Sequence, residues 1–248
     1  MPRKRRSFPR RIETYFDQTQ LPWNSLVFVF PLLLTFHVGA LFCGTRLMAP
    51  RDITSLLRYF GAEAWWFLPG LAVVMVLLGQ HWAQRRRLRF ELRGQVLAGM
   101  VVESLIEMLP LIVISHVTGR VIASLAATAP ASRAQLIFQE VLVSIGAGIY
   151  EEFIFRLVFI SLVLLLLVDV FGLNQRACSL MAVVLGAALF SLYHFSAAQM
   201  TWASFPWGPF VFRTLAGWYL GAIFVFRGFG VAVGAHIFWN LYTMMYRL

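Results

Sequence analysis

Cysteine is nearly absent from this 248-residue chain. Cys43 and Cys178 stand alone in apolar stretches, which excludes both a disulfide scaffold and a cysteine zinc cluster. Charge is scarce too, at 13% of residues against roughly 25% in an ordinary soluble domain. Acids are scarcest, with 11 Asp and Glu against 21 Lys and Arg. Disorder needs low hydrophobicity and high charge density, so it is excluded, and so is a water-soluble globular fold. The abundant material is apolar: 60% of residues are hydrophobic and 15% aromatic. These proportions describe a polytopic membrane protein.

The excess of cations is not a nucleic-acid footprint, because of where it lies. Arg3, Lys4, Arg5, Arg6, Arg10 and Arg11 precede the first apolar run, and Arg85, Arg86, Arg87, Arg89 and Arg93 crowd one loop. Basic clusters beside apolar spans mark cytoplasmic segments. Residues 1–21 therefore read as a basic cytoplasmic segment and 22–248 as a single transmembrane domain, with no internal repeat.

A helix needs about 20 mostly apolar residues to cross a ~30 Å hydrocarbon core. Runs at about 23–43, 62–82, 96–117, 177–195, 210–226 and 230–246 meet or approach that length, and 50–60 reads as an amphipathic interfacial piece. The run from 136 to 171 would make a helix of ~54 Å. It reads as two short spans meeting near 152–157, with one tilted or kinked helix as the alternative. The expected fold is thus an all-α transmembrane bundle of about eight spans around a polar intramembrane cavity. An even count puts both termini on the cytoplasmic side.

Ionisable groups at membrane depth cost upward of ~2.5 kcal/mol, so each is a functional hypothesis. Glu151-Glu152-Phe153-Ile154-Phe155-Arg156 reads EExxxR. Glu152 and Arg156, four apart with the acid first, can pair along a helix. That leaves Glu151, about 100° round the helix, without an internal counter-ion and suited to act as a general base. Phe190 and His194 (FxxxH) and His236 and Asn240 (HxxxN) are also four apart, so each pair shares a helix face. A neutral imidazole can bind a metal, accept a proton or donate a hydrogen bond. Asn240 can donate to a developing oxyanion. The plainer alternatives are a structural ion pair and histidines bonded to neighbouring carbonyls.

EExxxR, FxxxH and HxxxN, complete and in this order on successive apolar segments, resemble the CPBP family of CAAX proteases and bacteriocin-processing enzymes, also called Abi. The resemblance covers about 136–246. It implies intramembrane proteolysis of a membrane-associated peptide or protein. Glu151 would activate water, His194 would polarise or orient it, and His236 and Asn240 would stabilise the oxyanion. Glu152, held by Arg156, would assist, and Phe190 would support the site. The cofactor question stays open: Glu151, His194 and His236 could form a zinc site with an open position, although no HExxH is present, or the same groups could hold a bare water. The rival functions are a non-catalytic immunity or scaffolding protein of the same fold and a proton-coupled transporter. Few lysines and many arginines in a compact chain suggest a bacterial inner-membrane protein.

Other polar residues receive plainer readings. Glu103 and Glu107 share a helix face and could line the cavity or pair with Arg213. His37 and His116 read as structural, and Asp169 and Arg176 as marking a helix end and the next loop. Gly217 with Gly221, and Gly230 with Gly234, have the G-x-x-x-G spacing of close helix contacts.

Overall fold

The computed structural model describes residues 14–43, 68–84, 92–118 and 133–245. The basic terminus before Thr14, the interfacial piece at 50–60 and most of the arginine loop lie outside the described residues. Every regular element among the described residues is helical. A short helix α1 (Tyr15–Thr19) leads into α2 (Pro22–Cys43). Then come α3 (Leu68–Gln84), α4 (Gly94–Val117) and α5 (Arg133–Glu152). A wide π-helical turn, Phe153–Val158, joins α5 to α6 (Phe159–Leu164), and a second, Leu165–Val170, follows. The chain closes with α7 (Gln175–Tyr193), α8 (Trp207–Arg227) and α9 (Phe229–Met244). Five of these rods are long and apolar enough to cross a bilayer. The protein is therefore an all-α, multi-pass membrane protein, as its composition required.

The run that the sequence left open is continuous. Ala134–Val170 is one rod of 37 residues, not two spans meeting at the acidic pair. The helix widens instead of breaking, passing through two π-helical segments, Phe153–Val158 and Leu165–Val170. Single π-turns inside α-helices recur at functional sites, and the first of these begins directly after Glu152. The rod ends where Gly172 adopts φ 68°, a left-handed conformation that suits glycine. Asn174 then caps α7 by accepting from the Ala177 N–H at 3.1 Å. Asp169 lies at the end of the rod as expected, whereas Arg176 falls in the first turn of α7 and not in the loop.

The centre of the bundle is α9. Residues 229 to 237 are all buried, and the helix packs against α2, α4, α5 and α8. A helix that is apolar all round belongs in a core. Small residues allow the close approach: the missing side chain of Gly230 faces Ser25 and Met100, and that of Gly234 faces Ser104. Helices α7 and α8 pack through a second small-residue seam. A Cβ on Gly217 would lie 3.1 Å from the Phe190 ring and 3.2 Å from Ala187 Cα, and Gly221 faces Val183. Both G-x-x-x-G pairs thus mark close packing. The opposite faces carry exposed large apolar side chains, including Phe30, Leu105, Val113 and Leu185, as surfaces meant for hydrocarbon do.

One pairing differs from expectation. Glu103 and Glu107 do not pair with Arg213. Glu103 takes Arg227 and the Tyr15 hydroxyl, and Glu107 accepts from the Tyr219 hydroxyl. The reason is register: the face of α4 that carries the two acids meets the later part of α8, whereas Arg213 sits near the start of α8. The Arg213 guanidinium lies 5.2 Å from the centre of the Phe195 ring instead. His37 is structural, sharing a 2.9 Å hydrogen bond with the Tyr150 hydroxyl. His116 is also structural, bonding its own helix through Ile112 O at 2.8 Å.

Candidate active site

Three helices bring the motif residues together. Glu151 and Glu152 close α5 just before the first π-turn, His194 stands at the C-terminal cap of α7, and His236 lies halfway along α9. Glu152 is fully buried and Arg156 nearly so, with 0% and 2% of their side chains exposed. They form the expected i,i+4 ion pair at 3.1 Å. Arg156 also donates from Nη2 to Gly217 O at 3.2 Å and stacks 4.5 Å above the Phe190 ring. A guanidinium suits this place because it can bond in its plane and stack on its face at once. Phe190 in turn makes edge contacts with the rings of His194 and His236, at centroid distances of 4.9 and 6.0 Å. Arg156 and Phe190 thus pack directly against the buried acid and the two imidazoles.

Hydrogen bonds fix both imidazoles. His194 Nδ1 lies 2.8 Å from Phe190 O, one turn back on its own helix, and a carbonyl can only accept. His236 Nδ1 lies 2.7 Å from Glu152 Oε1, so the buried carboxylate takes its proton in a hydrogen bond. In each neutral ring the proton sits on Nδ1 and Nε2 carries the lone pair. Both Nε2 atoms then face one group: His194 Nε2 is 3.7 Å from Glu151 Oε1 and His236 Nε2 is 3.6 Å from Glu151 Oε2. These separations exceed a direct hydrogen bond. A carboxylate and two imine nitrogens are all acceptors, so a molecule that brings two protons, such as water, suits the space they share. Glu151 and His194 keep 20% and 25% of their side-chain surface open, which gives that space access.

Asn240 stands slightly apart. It lies one turn beyond His236 on α9, ~6 Å along the axis, and its amide donates to Ser144 O of α5 at 3.4 Å. The structure thus gathers Glu151, Glu152, His194 and His236 around one point, with Asn240 a turn away on the same wall. Among the described residues no group of three or more His, Cys, Asp or Glu side chains is arranged to hold a metal ion.

Sequence reasoning missed Gly217, whose backbone carbonyl anchors Arg156. A carbonyl contact leaves no side-chain signal; the only hint was the G-x-x-x-G spacing.

A helical membrane protein with buried acid and imidazole groups facing one another across three helices is the class this architecture defines. Residues 133–242 match the family model described as type II CAAX prenyl endopeptidase Rce1-like. The segment that carries the three motifs is thus similar to that family, in agreement with the CPBP resemblance. No curated protein and no solved structure matches the chain.

Proposed function

We propose that this protein is an intramembrane endopeptidase that cleaves a membrane-associated peptide or protein with a glutamate-activated water. The observation that carries the reading is the facing of Glu151 by two imidazole Nε2 atoms, each ring locked through its Nδ1. A water bound there gives one hydrogen to Glu151 and the other to His194 Nε2, which aims an oxygen lone pair at the scissile carbonyl.

As the water oxygen bonds to the carbonyl carbon, Glu151 takes its proton and the C=O π pair moves onto oxygen. For this step His236 first takes up a second proton from solvent on Nε2, balanced by the Glu151 and Glu152 carboxylates it lies between, and then donates a hydrogen bond from Nε2 to that oxyanion. Asn240 lends an amide N–H from the next turn. Oriented donors of this kind are commonly the largest single source of rate enhancement. The oxyanion then re-forms its carbonyl and expels the amine, which leaves with the proton held on Glu151. A carboxylic acid and an amine result. Arg156 keeps Glu152 charged and in place, so that His236 keeps its Nδ1–H bonded to that carboxylate and its ring orientation fixed.

The proposed setting is a bacterial inner membrane with both termini cytoplasmic. The cation clusters at 3–11 and 85–93 support that orientation. The test is a comparison of membrane peptides from cells carrying wild-type or Glu151→Gln protein at equal expression. Products that vanish with Glu151→Gln support the reading, and identical peptide sets would overturn it. Unaltered biological function in Glu151→Gln would favour the immunity or scaffolding alternative.

A further inference from the structure

The Rce1-like segment begins at residue 133, yet the start of α9 is held largely by residues that precede it. Residues 14 to 25 form a strap across the corner where α8 turns into α9. Thr14 caps α1 by accepting from the Asp17 N–H. From α1, the Tyr15 hydroxyl donates to Glu103 Oε2 at 2.6 Å. The same carboxylate receives Arg227, the last residue of α8, including an Nη2 bond of 2.9 Å. The Arg227 guanidinium is also stacked by the strap, 4.1 Å from the Phe16 ring centre and 5.5 Å from that of Tyr15. Gln20 donates to Phe226 O at 2.8 Å, and Asn24 to Gln18 O at 2.8 Å inside the strap itself.

The corner is one residue long. Gly228 has φ 91°, in the left-handed region that favours glycine, and a Cβ there would lie 2.7 Å from Thr19 O and 2.9 Å from Gln20 Cα. Strap and corner are therefore in backbone contact. Directly beyond it, Ser25 Oγ accepts from the Gly230 N–H at 3.1 Å, satisfying one of the free donors of the first turn of α9. Ser104, next to Glu103, donates to Val231 O at 3.3 Å. His236 follows about two turns later on the same buried rod, with no break in the helix between.

We infer that Tyr15, Ser25, Glu103, Arg227 and Gly228 are positioning residues for the proposed hydrolysis. They fix the axial position and rotation of α9, and so the aim of His236 Nε2 at the oxyanion. The inference rests on the proteolytic reading. It assigns the region before residue 133 a part in catalysis, exerted through helix placement and not through contact with substrate.

The experiment uses the full chain in lipid vesicles, with a membrane-anchored fluorogenic peptide as probe. It compares Tyr15→Phe, Ser25→Ala and Gly228→Ala with wild type, and takes Glu151→Gln as the inactive reference. Each variant is scored for kcat, KM, thermal midpoint and amide exchange across 229–237. Small misplacements of reacting groups can cost about a hundredfold in rate. The expected result is therefore a kcat loss of about threefold for Tyr15→Phe and Ser25→Ala and at least about tenfold for Gly228→Ala, with KM unchanged. Exchange in 229–237 quickens while that in α7 does not. Should Gly228→Ala fail to fold, the two milder variants carry the test. Wild-type kcat despite faster exchange overturns the inference, as do unchanged exchange or a rise in KM in place of the kcat loss. If wild type cleaves the probe no better than Glu151→Gln, the proteolytic reading fails, and the exchange arm still shows whether the strap holds α9.

Discussion

His236 donates its Nδ1 proton to Glu152 at 2.7 Å while Arg156 holds the same carboxylate oxygen at 3.1 Å. One buried oxygen thus serves two partners: it sets an imidazole tautomer and neutralises a guanidinium. Removing either charge leaves the other buried alone, which typically costs about 3–5 kcal/mol. Arg156→Ala should lower unfolding stability by about that amount, as read in detergent by denaturant titration. Arg156→Lys should recover part of the stability but not the stacking on Phe190. A stability change under about 1 kcal/mol for Arg156→Ala would show that the pair is not the anchor described.

Glu151→Gln tests a different property. The amide is nearly isosteric and makes no ion pair that the fold relies on, so the thermal midpoint should stay close to wild type. Turnover should drop by about 10²–10⁴-fold, the usual contribution of a general base. Residual activity near wild type would reassign the base.

His194→Ala and His236→Ala should separate by their effect on folding. His194 lies at a helix end with a quarter of its side chain exposed, so its loss should reduce kcat with little change in melting temperature. His236 is buried against Glu152, and its removal should lower both, because Glu152 then loses its 2.7 Å donor. Equal destabilisation by the two variants would contradict this account. If Glu151 itself activates the water, treatment with a strong chelator should leave turnover unchanged. Loss of activity that is restored by added zinc would assign Glu151, His194 and His236 to a metal after all.

Tyr15 lies before the first span and gives a pH signature. Burial, assisted by its hydrogen bond to Glu103, pushes its hydroxyl well above the ordinary value of 10.0. A raised folded value means that the bond stabilises the protein fully below that ordinary value and is lost as pH climbs above it. Between about pH 8 and pH 11, bracketing the free tyrosine value, the thermal midpoint of wild type should fall more steeply than that of Tyr15→Phe. Parallel curves would show that the hydroxyl contributes nothing to the strap.

Much of this was legible in the residues themselves, and what was not has a physical reason. The i,i+4 spacings placed Glu152 with Arg156 and identified the faces of Phe190 with His194 and of His236 with Asn240, because local helix geometry alone decides them. The partners of Glu103 and Glu107 depend on how far α4 slides along α8, a long-range register that no local spacing encodes, so the sequence points to the cavity or Arg213 where the fold supplies Arg227 and Tyr219. The continuity of Ala134–Val170 was equally hidden. Two π-turns in an unbroken apolar run need no glycine or proline to announce them.

The 37-residue rod has a mechanical corollary. At 1.5 Å per residue it measures ~55 Å, far more than the ~30 Å of hydrocarbon it must traverse, so it leans or projects. Mismatch between a helix and its membrane is relieved largely by tilt, and the acidic pair sits near the rod's midpoint, where tilting pivots. Thickening or thinning the surrounding lipid should therefore swing the two arms while leaving the depth of Glu151 almost constant, so that the reaction centre stays level as its surroundings change.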